Sequence, residues 1–373
     1  MRKKKVAMVA PDIAPLYYGG QQGGAGGAER QLALIAKGLS NRGYEIVFFA
    51  RPLDCAGSQI TNSNWKIVLN RFRFFGGSKL FLLLDGVRLI FQLRRQRPEY
   101  IMMRAGGALL MAPLLAYRLI YGGRLVNFIQ IDREVGDVNV YYKGHKRLLA
   151  RLYQKFLRKA DLIFCQTHFQ QNLIVKQIKR HAVRIDNIAG ALWDRSDRSQ
   201  LQTFDIFWAG STAAQKRFEL VLQLAQLLPE MQFKVAMNGA RSKPDLQAYP
   251  NIEFLGQVSP VEIEQYFNRC RVFLNTSAQE GFPNTFLQAW YYGKPVATAG
   301  IDPDGVVSRE KTGIVVPVNE ENDLVLLAGQ IRQLLSDKNT YQYLSNNALR
   351  YVQKNRSIDE VTAVIDHAIN ELP

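Results

Sequence analysis

The sequence predicts an α/β protein of two domains, each built around a parallel β-sheet. Short apolar segments alternate with amphipathic segments, which is typical of βαβ units. This alternation begins twice, once near residue 5 and again near residue 205. The length of 373 residues fits two domains of ordinary size, and a hydrophobic fraction of 47% supplies enough apolar residues for two cores.

The first half of the chain, residues 1–190, is predicted to form an N-terminal domain. Its first strand is followed by a glycine-rich stretch, residues 19–27, and then by a helix with Leu32, Ile35 and Leu39 at helical spacing. Gly43 marks the end of that helix. The strands predicted in this domain are residues 5–10, 45–50, 100–103, 124–130 and 161–166.

The second half, residues 191–373, is predicted to form a C-terminal domain, joined to the first near residues 188–200. A helix is expected over residues 215–229, and residues 320–370 look mostly helical. The last helix could return to pack on the N-terminal domain. The strands predicted in the C-terminal domain are residues 205–210, 233–238, 252–256 and 271–277.

The charge is unevenly distributed along the chain. Residues 1–190 contain 31 Lys and Arg against 11 Asp and Glu, whereas residues 191–373 contain 17 against 21. This asymmetry predicts that the first half faces an anionic partner, such as a membrane surface, a phosphorylated substrate or a nucleic acid. A nucleic acid is not expected, because there is no recognisable helix-turn-helix and no interleaved basic and aromatic RNA motif.

Cysteine usage and hydropathy indicate a cytoplasmic protein. The three cysteines are widely spaced and odd in number, so neither a disulfide framework nor a zinc site is predicted. The four histidines form no visible ligand cluster, and we expect no bound metal. The uncharged apolar run at residues 105–117 is shorter than the roughly 18 residues that a spanning helix requires.

Chemically distinctive residues follow predicted strands at three places, and ligands of parallel sheets bind at such carboxyl ends. The first place is residues 17–30, which contain six glycines, including Gly26 and Gly27 just before a helix. These could form a ligand-closing loop or only a mobile surface loop. They do not form a clean Gly-x-Gly-x-x-Gly fingerprint, which argues against an NAD-dependent enzyme.

The second place follows the strand that ends at Gly210. Lys216 and Arg217 are expected to open the next helix, where two cations oppose the helix dipole unless an anion neutralises them. A diphosphate is a natural partner for them. The alternative is that both charges are simply solvated.

The third place is a corner formed by Glu280, Gly281, Phe282 and Pro283. Proline suits the first turn of a helix and keeps the preceding residue extended. Gly281 would permit an unusual backbone angle or a close ligand contact. The Glu280 carboxylate would then project from a loop, where it suits a sugar's hydroxyl groups better than a phosphate, which it would repel. The alternative is a helix start with an exposed acid.

The segment EGFPNTFLQAWYYGKPVATAG, residues 280–300, resembles the donor-site motif of retaining glycosyltransferases of family 4, which have the GT-B architecture. The resemblance extends over nearly the whole chain, and the pieces occur in the family's order. The other segments that are similar to the family are residues 26–50, 160–174, 183–188, 208–229 and 304–317.

The resemblance implies two Rossmann-like domains and a transferase that uses a nucleotide-diphosphate sugar as co-substrate, with retention and without a metal or cofactor. Glu280 and Lys216 would be the catalytic residues: Glu280 would hold the sugar hydroxyls, and Lys216 would neutralise the leaving diphosphate. Gly26 and Gly27 would close over the donor from the other domain. The remaining donor-binding residues would be Gly210, Arg217, Gly281, Phe282, Pro283, Asn284, Thr285 and Gln288.

Two positions depart from the family pattern. The family's second acid, which grips ribose hydroxyls in relatives, falls at Gln288, and an uncharged amide forms weaker hydrogen bonds. Ser211 and Thr212 stand where the family has an arginine, and Arg217 could supply that charge. The alternative reading is a weak or inactive member that binds a membrane or a glycan.

The acceptor side is predicted less sharply. Arg104, Asp132 and Arg133 follow strands of the N-terminal domain and could orient a saccharide acceptor, or could pair with one another. Residues 70–98 and 145–159 mix basic with apolar side chains, as segments at a lipid interface do. They predict peripheral contact with an anionic membrane and a lipid-linked saccharide acceptor. The alternative is core helices with solvated basic faces.

Overall fold

A computed structural model describes residues 3–17, 26–52, 65–69, 79–104, 107–190, 203–239, 247–260 and 262–372. Most of the predicted glycine-rich loop (18–25), the start of the basic segment (70–78) and most of the predicted join (191–202) lie outside these ranges. The chain divides into two compact units. The first unit comprises Met1–Ile188 and Ile358–Pro373, and the second comprises Ala189–Ser357.

The first unit is built on a seven-stranded parallel sheet in the order β3-β2-β1-β4-β5-β6-β7. The strands are β1 (Lys5–Val9), β2 (Glu45–Ala50), β3 (Trp65–Leu69), β4 (Tyr100–Arg104), β5 (Arg124–Phe128), β6 (Leu162–Cys165) and β7 (Val183–Arg184). The helices are α1 (Gly27–Asn41), α2 (Lys79–Gln96), α3 (Gly107–Tyr121), α4 (Val138–Tyr141), α5 (Gly144–Leu157) and α6 (His168–Leu173), which continues into a π-helical turn at Ile174–Ile178.

Burial on both faces explains why the central strands of this unit read as apolar runs. Residues Val6–Val9 of β1 are fully buried, and β1 pairs in parallel with β2 and β4. Side chains of α2, α3 and α5 share one core cluster with residues of this sheet. The carboxyl ends of β4, β5 and β6 are therefore held in place by a packed sheet.

The last helix of the described chain, α13 (Ile358–Asn370), belongs to the first unit and packs on α1. Gly38 of α1 makes the close approach possible, because a Cβ there would lie 2.3 Å from the Thr362 side chain. Hydrogen bonds reinforce the packing: Arg42 donates to the Asp359 carbonyl at 2.8 Å, and the Tyr44 hydroxyl donates to Asp366 Oδ1 at 2.5 Å.

The second unit is built on a six-stranded parallel sheet in the order β10-β9-β8-β11-β12-β13. The strands are β8 (Phe204–Ser211), β9 (Phe233–Asn238), β10 (Ile252–Gly256), β11 (Cys270–Asn275), β12 (Val296–Thr298) and β13 (Gly313–Val315). The helices are α7 (Phe218–Leu227), α8 (Ile263–Arg269), α9 (Asn284–Tyr291), α10 (Val306–Arg309), α11 (Glu321–Ser336) and α12 (Lys338–Asn355).

Successive residues of β8 serve two different cores. Trp208 lies in a cluster with α7 and α11, whereas Phe207 lies in a cluster with α9 and α12. This is the period-two geometry of a strand with helices on both sides. The predicted α/β class, with two parallel sheets and flanking helices, is confirmed.

One predicted helix boundary is wrong in a place that matters for the site. The helix expected from residue 215 begins at Phe218, and Lys216 ends a separate 3-10 turn, Ala214–Lys216. Arg217 between them has φ 46° and ψ 54°, a left-handed conformation that no helix can continue through. In the part of the chain that the structure describes, no helix is long and apolar enough to cross a membrane.

Candidate functional site

The structure brings Lys216 and Glu280 together at the carboxyl end of the second unit's sheet. The Lys216 ammonium forms a salt bridge with Glu280 Oε1, and the two side chains are only 22% and 19% exposed. The Ser277 hydroxyl donates to the same carboxylate oxygen at 2.9 Å. Because β8 and β11 are neighbours in the sheet, the loops that follow them meet, although 64 residues separate the two partners.

Hydrogen bonds join these two loops to each other. The Thr276 hydroxyl donates to the Lys216 carbonyl at 2.6 Å and accepts from Trp208 Nε1 at 3.0 Å. The Ala278 amide donates to the Gln215 carbonyl at 2.8 Å. The two loops that carry Lys216 and Glu280 are therefore held together by hydrogen bonds between uncharged groups, in addition to the salt bridge.

Arg217 turns away from this salt bridge and into the edge of the sheet. Its guanidinium donates four hydrogen bonds, all to backbone carbonyls, and burial lowers the pKa of the group. The acceptors are the carbonyls of Thr276 (2.7 Å), Ser277 (3.3 Å), Ala299 (2.6 Å) and Val318 (3.2 Å). Arg217 is the N-cap of α7, as a residue that opens the helix, but its side chain is largely committed to the protein itself.

Phe282, predicted to line the donor, has a side chain that belongs to the core. It is 5% exposed and packs edge-on against Trp290, with the Arg356 guanidinium 4.4 Å from its ring centroid. Gly281 is not among the described glycines with positive φ, so the unusual backbone angle expected of it is not observed. Only the main chain at these two positions could line a ligand.

Helix α9 begins one residue later than the position of Pro283 would suggest. Pro283 is the N-cap, with extended angles, and Asn284 and Thr285 form the first turn. Both of these side chains are partly exposed, at the end of the helix where backbone amides favour anions. Their placement fits a role beside a phosphate.

Gln288 contacts an acid that the sequence did not reveal. Gln288 is 9% exposed, and its amide nitrogen donates to Glu264 Oε1 at 3.3 Å. The Tyr292 hydroxyl donates to Glu264 Oε2 at 2.9 Å. A carboxylate therefore lies beside the uncharged amide, contributed by α8 rather than by α9.

The predicted glycines have identifiable structural reasons. A Cβ at Gly210 would lie 2.6 Å from the Trp208 ring, so packing alone requires glycine there. Gly26 is the N-cap of α1 and Gly27 its first residue. A Cβ at Gly26 would lie 2.8 Å from Glu29 Oε2, and burial raises the pKa of Glu29, which accepts backbone hydrogen bonds at this helix start.

The three predicted acceptor-side residues have different environments. Arg104 is 3% exposed and donates to Asn187 Oδ1 at 2.7 Å, and its Nε finds no partner among the described residues. Burial lowers the pKa of Arg104 to about 10. Asp132 Oδ1 accepts from the Gln170 amide at 3.1 Å, whereas Arg133 is exposed.

Glu134, two residues after Asp132, is a further functional candidate. One of its carboxylate oxygens accepts from the Gln130 backbone amide at 2.8 Å. Burial raises the pKa of Glu134 to about 7, although the positive charge of Arg104 acts in the opposite direction. The local sequence shows an acid here but not its desolvation.

His, Cys, Asp and Glu are the side chains in the described ranges that could ligate a metal ion. No three His, Cys, Asp or Glu residues there are grouped so as to hold a metal ion. The described cysteines, Cys165 and Cys270, are free and buried.

Two sequence families match the chain, and together they extend over most of it. Glycosyltransferase Family 4 matches residues 25–188, and Glycosyl transferases group 1 matches residues 203–337. No curated protein matches the sequence. The two matches fall one on each unit of the structure.

Solved structures similar to this chain include a sucrose-phosphate synthase from Thermosynechococcus elongatus, with 16% identity, a TM-score of 0.77 and 99% of both chains covered. Another is Anabaena Alr3699/HepE in complex with UDP-glucose, with 14% identity, a TM-score of 0.71 and coverage of 99% of this chain and 100% of that chain. A third is WaaG, a glycosyltransferase involved in lipopolysaccharide biosynthesis, with 16% identity, a TM-score of 0.65 and coverage of 98% and 100%. At these identities the likeness shows the fold, while the family matches extend over both units. The chain therefore belongs to the group 1, family 4 glycosyltransferases and has their GT-B fold.

Proposed function

We propose that this glycosyltransferase moves a hexose from a nucleotide-diphosphate sugar to a saccharide or lipid-linked saccharide, with retention of anomeric configuration and without a metal ion. The observation that carries the proposal is the partly buried Lys216–Glu280 salt bridge at the carboxyl end of the second sheet. A cation and an acid held side by side can serve the two halves of such a donor, the diphosphate and the sugar.

Glu280 is suited to the sugar because the described residues use only one of its oxygens. Oε1 accepts from Lys216 and Ser277, and no hydrogen bond from a described residue reaches Oε2. A sugar hydroxyl can donate to that second oxygen. A hydrogen bond to an ionised acceptor is about twice as strong as a neutral one, so the position of the sugar would be well defined.

Lys216 is suited to the leaving group. When the bond between the sugar's anomeric carbon and the diphosphate oxygen breaks, its electron pair stays on the diphosphate. A fixed ammonium in a partly buried place stabilises that developing charge more than water does. The amides at the start of α9, at Asn284 and Thr285, would add further stabilisation, so that Lys216 and these amides take the place of a divalent ion.

UDP-glucose is the first donor to test. The structure of Alr3699/HepE contains that molecule, and its fold matches this chain over 99% of its length. The ribose would lie near Gln288, whose amide is oriented by Glu264. The neighbouring carboxylate would offset the missing charge at Gln288.

A lipid-linked acceptor is supported by the surface of α2. Leu84, Val87 and Phe91 of this helix are exposed and lie one helical turn apart, and Arg88 and Arg95 are exposed on the same side. Apolar side chains flanked by cations suit the interface of an anionic bilayer. WaaG, with the same fold, acts in lipopolysaccharide biosynthesis, which fits an acceptor of this class.

The membrane part of the proposal is tested by sedimentation with vesicles of an anionic phospholipid. Binding is expected at low salt, with weakening as salt rises. Phe91→Glu should reduce binding strongly. The matched control Val325→Glu changes an equally exposed apolar residue, on α11 of the other unit, and should have no effect. If the wild-type protein does not bind at low salt, the membrane part is wrong.

The donor part is tested by thermal shift with UDP and UDP-glucose, followed by an assay of transfer and of the product's anomeric configuration by NMR. A ligand that binds only the native state raises the melting temperature according to its concentration and affinity. We expect UDP-glucose to give a larger shift than UDP, and Glu280→Ala to remove the difference. Transfer should persist with a chelator present.

A second lysine–glutamate pair in the same unit provides the control. Lys234 and Glu253 lie opposite each other on β9 and β10 and form a salt bridge at 2.9 Å. Glu253→Ala and Lys234→Ala should leave both shifts unchanged, whereas Lys216→Ala should weaken UDP itself. If the changes at Glu253 and Glu280 have equal effects on the UDP-glucose shift, Glu280 does not contact the sugar.

A further inference from the structure

Arg217 has an unusual backbone for a residue with a side chain. Its φ of 46° and ψ of 54° lie in the left-handed region, where a Cβ crowds the following carbonyl. It also lies at the junction between the 3-10 turn that ends at Lys216 and helix α7. A glycine would adopt this conformation without strain, whereas arginine adopts it at a cost that interactions of its side chain can offset.

The four carbonyls that Arg217 contacts belong to three separate segments. Thr276 and Ser277 follow β11, Ala299 follows β12, and Val318 follows β13. Strands end at these points, so the carbonyls beyond them lack the regular partners of the sheet. A buried carbonyl left without a partner is costly, and arginine is the side chain whose planar group offers five donors.

One of these segments, the one after β11, is directly connected to the proposed donor site. Ser277, whose carbonyl Arg217 contacts, also donates its hydroxyl to Glu280. Thr276, another acceptor, donates its hydroxyl to the Lys216 carbonyl. One guanidinium thus joins the loop of the acid and the loop of the cation to the ends of two further strands.

We propose that Arg217 is a positioning residue: it fastens the loops after β8, β11, β12 and β13 to one another and so fixes Lys216 and Glu280, and it does not itself bind the diphosphate. The left-handed backbone directs the side chain into the sheet edge instead of along α7. The claim that Arg217 fastens the loops is based on its contacts alone. The claim that this affects donor binding rests on the proposed function.

Hydrogen exchange of the ligand-free protein tests the fastening without any donor. Arg217→Lys keeps the charge but not the planar set of donors, Arg217→Gln keeps neither, and Arg217→Gly relaxes the backbone. In all three variants, amides in residues 276–283, 299–302 and 316–320 should exchange at least about tenfold faster, because each lost hydrogen bond to a charged group is worth that much or more.

Arg332→Lys is the matched control. Arg332 also binds a carbonyl of the second unit, that of Leu227 at 3.0 Å, but it lies on the exposed surface of α11. The substitution Arg332→Lys should leave amide hydrogen exchange in those three segments unchanged. If Arg217→Gly exchanges as slowly as the wild-type protein there, the side chain fastens nothing and the proposal is overturned.

Binding of UDP at increasing salt separates fastening from direct contact with a phosphate. Removal of a phosphate contact reduces the slope of log Kd against log salt, whereas loosening of a loop shifts log Kd at every salt concentration. We expect Arg217→Gln to weaken UDP with an unchanged slope, and Lys216→Gln to reduce the slope. A reduced slope in Arg217→Gln together with wild-type activity in Arg217→Lys would overturn the proposal.

The two proposals fail in distinguishable ways. If the wild-type protein binds neither UDP nor UDP-glucose, the donor assignment fails, and the exchange experiment still decides whether Arg217 fastens the loops. If binding is normal but exchange is unaffected by all three substitutions, the donor assignment stands and the role of Arg217 is refuted.

Discussion

Glu134 is expected to make the stability of the first unit depend on pH, and Glu134→Gln should remove this contribution. Burial raises its pKa from 4.5 to about 7. Between these values the folded protein keeps the proton while the unfolded chain releases it. The free energy of unfolding therefore falls as pH rises from about 4.5 to about 7, and the loss persists above that range.

The magnitude follows from the change in pKa. At about 1.4 kcal/mol for each pH unit, the rise from 4.5 to about 7 corresponds to about 3.5 kcal/mol. Because Glu134 as a whole residue is partly exposed, we expect about 2 kcal/mol in practice. Glutamine retains an oxygen that can accept from the Gln130 amide, so the substitution removes the charge and keeps the hydrogen bond.

The assay is native-state hydrogen exchange of amides in β4 and β5, which reports the first unit without requiring the whole chain to unfold in one step. The stability of Glu134→Gln relative to wild type should increase by about 2 kcal/mol between pH 4 and pH 8. Glu99→Gln, at an exposed acid of the same unit, should show no such trend. A constant difference between Glu134→Gln and wild type across this range would refute the reasoning.

Three further predictions concern packing and charge. Gly38→Ala should destabilise the contact between α1 and α13 by about 1–3 kcal/mol, because the new Cβ would overlap the Thr362 side chain. Proteolysis of the C-terminal segment should then be faster. Adding Thr362→Ala should partly reverse this effect. Gln288→Glu should place a second carboxylate against Glu264 and lower the free energy of unfolding in urea by about 1 kcal/mol at pH 8, and by less at pH 4. Adding Glu264→Gln should restore the lost stability. If the effects of the two substitutions simply add in the double variant, the two side chains are not in contact. Phe282→Ala should cost about 3–5 kcal/mol in urea unfolding of the second unit, and a cost below about 1 kcal/mol would mean that the ring is not part of the core.

The fold class was predictable because the strands carry their own pattern. Strands buried on both faces, such as β1 and β9, are short apolar runs, and the structure places them within a residue of the predicted bounds. The two-residue strand β7 carries no such pattern. The predicted helix from residue 215 fails because helical periodicity does not report the left-handed backbone of Arg217.

For the candidate site, the sequence indicated individual residues but not the contacts between them. Glu280 and Lys216 stand out because each follows a strand, and neighbouring strand ends meet. The acceptors of Arg217 lie up to 101 residues away, and Glu264 is 24 residues from Gln288, so no local pattern could have indicated either contact. The burial that changes the pKa of Glu134 is likewise a property of the assembled fold.

The placement of α13 determines the order in which the protein can fold. The second unit is one uninterrupted segment, Ala189–Ser357, whereas the first unit needs both Met1–Ile188 and Ile358–Pro373. During synthesis, the ribosome therefore completes the whole second unit before the helix that covers α1 exists. Domains usually fold in the order in which they are made. In this chain, the part that is made first is expected to be the last to finish folding.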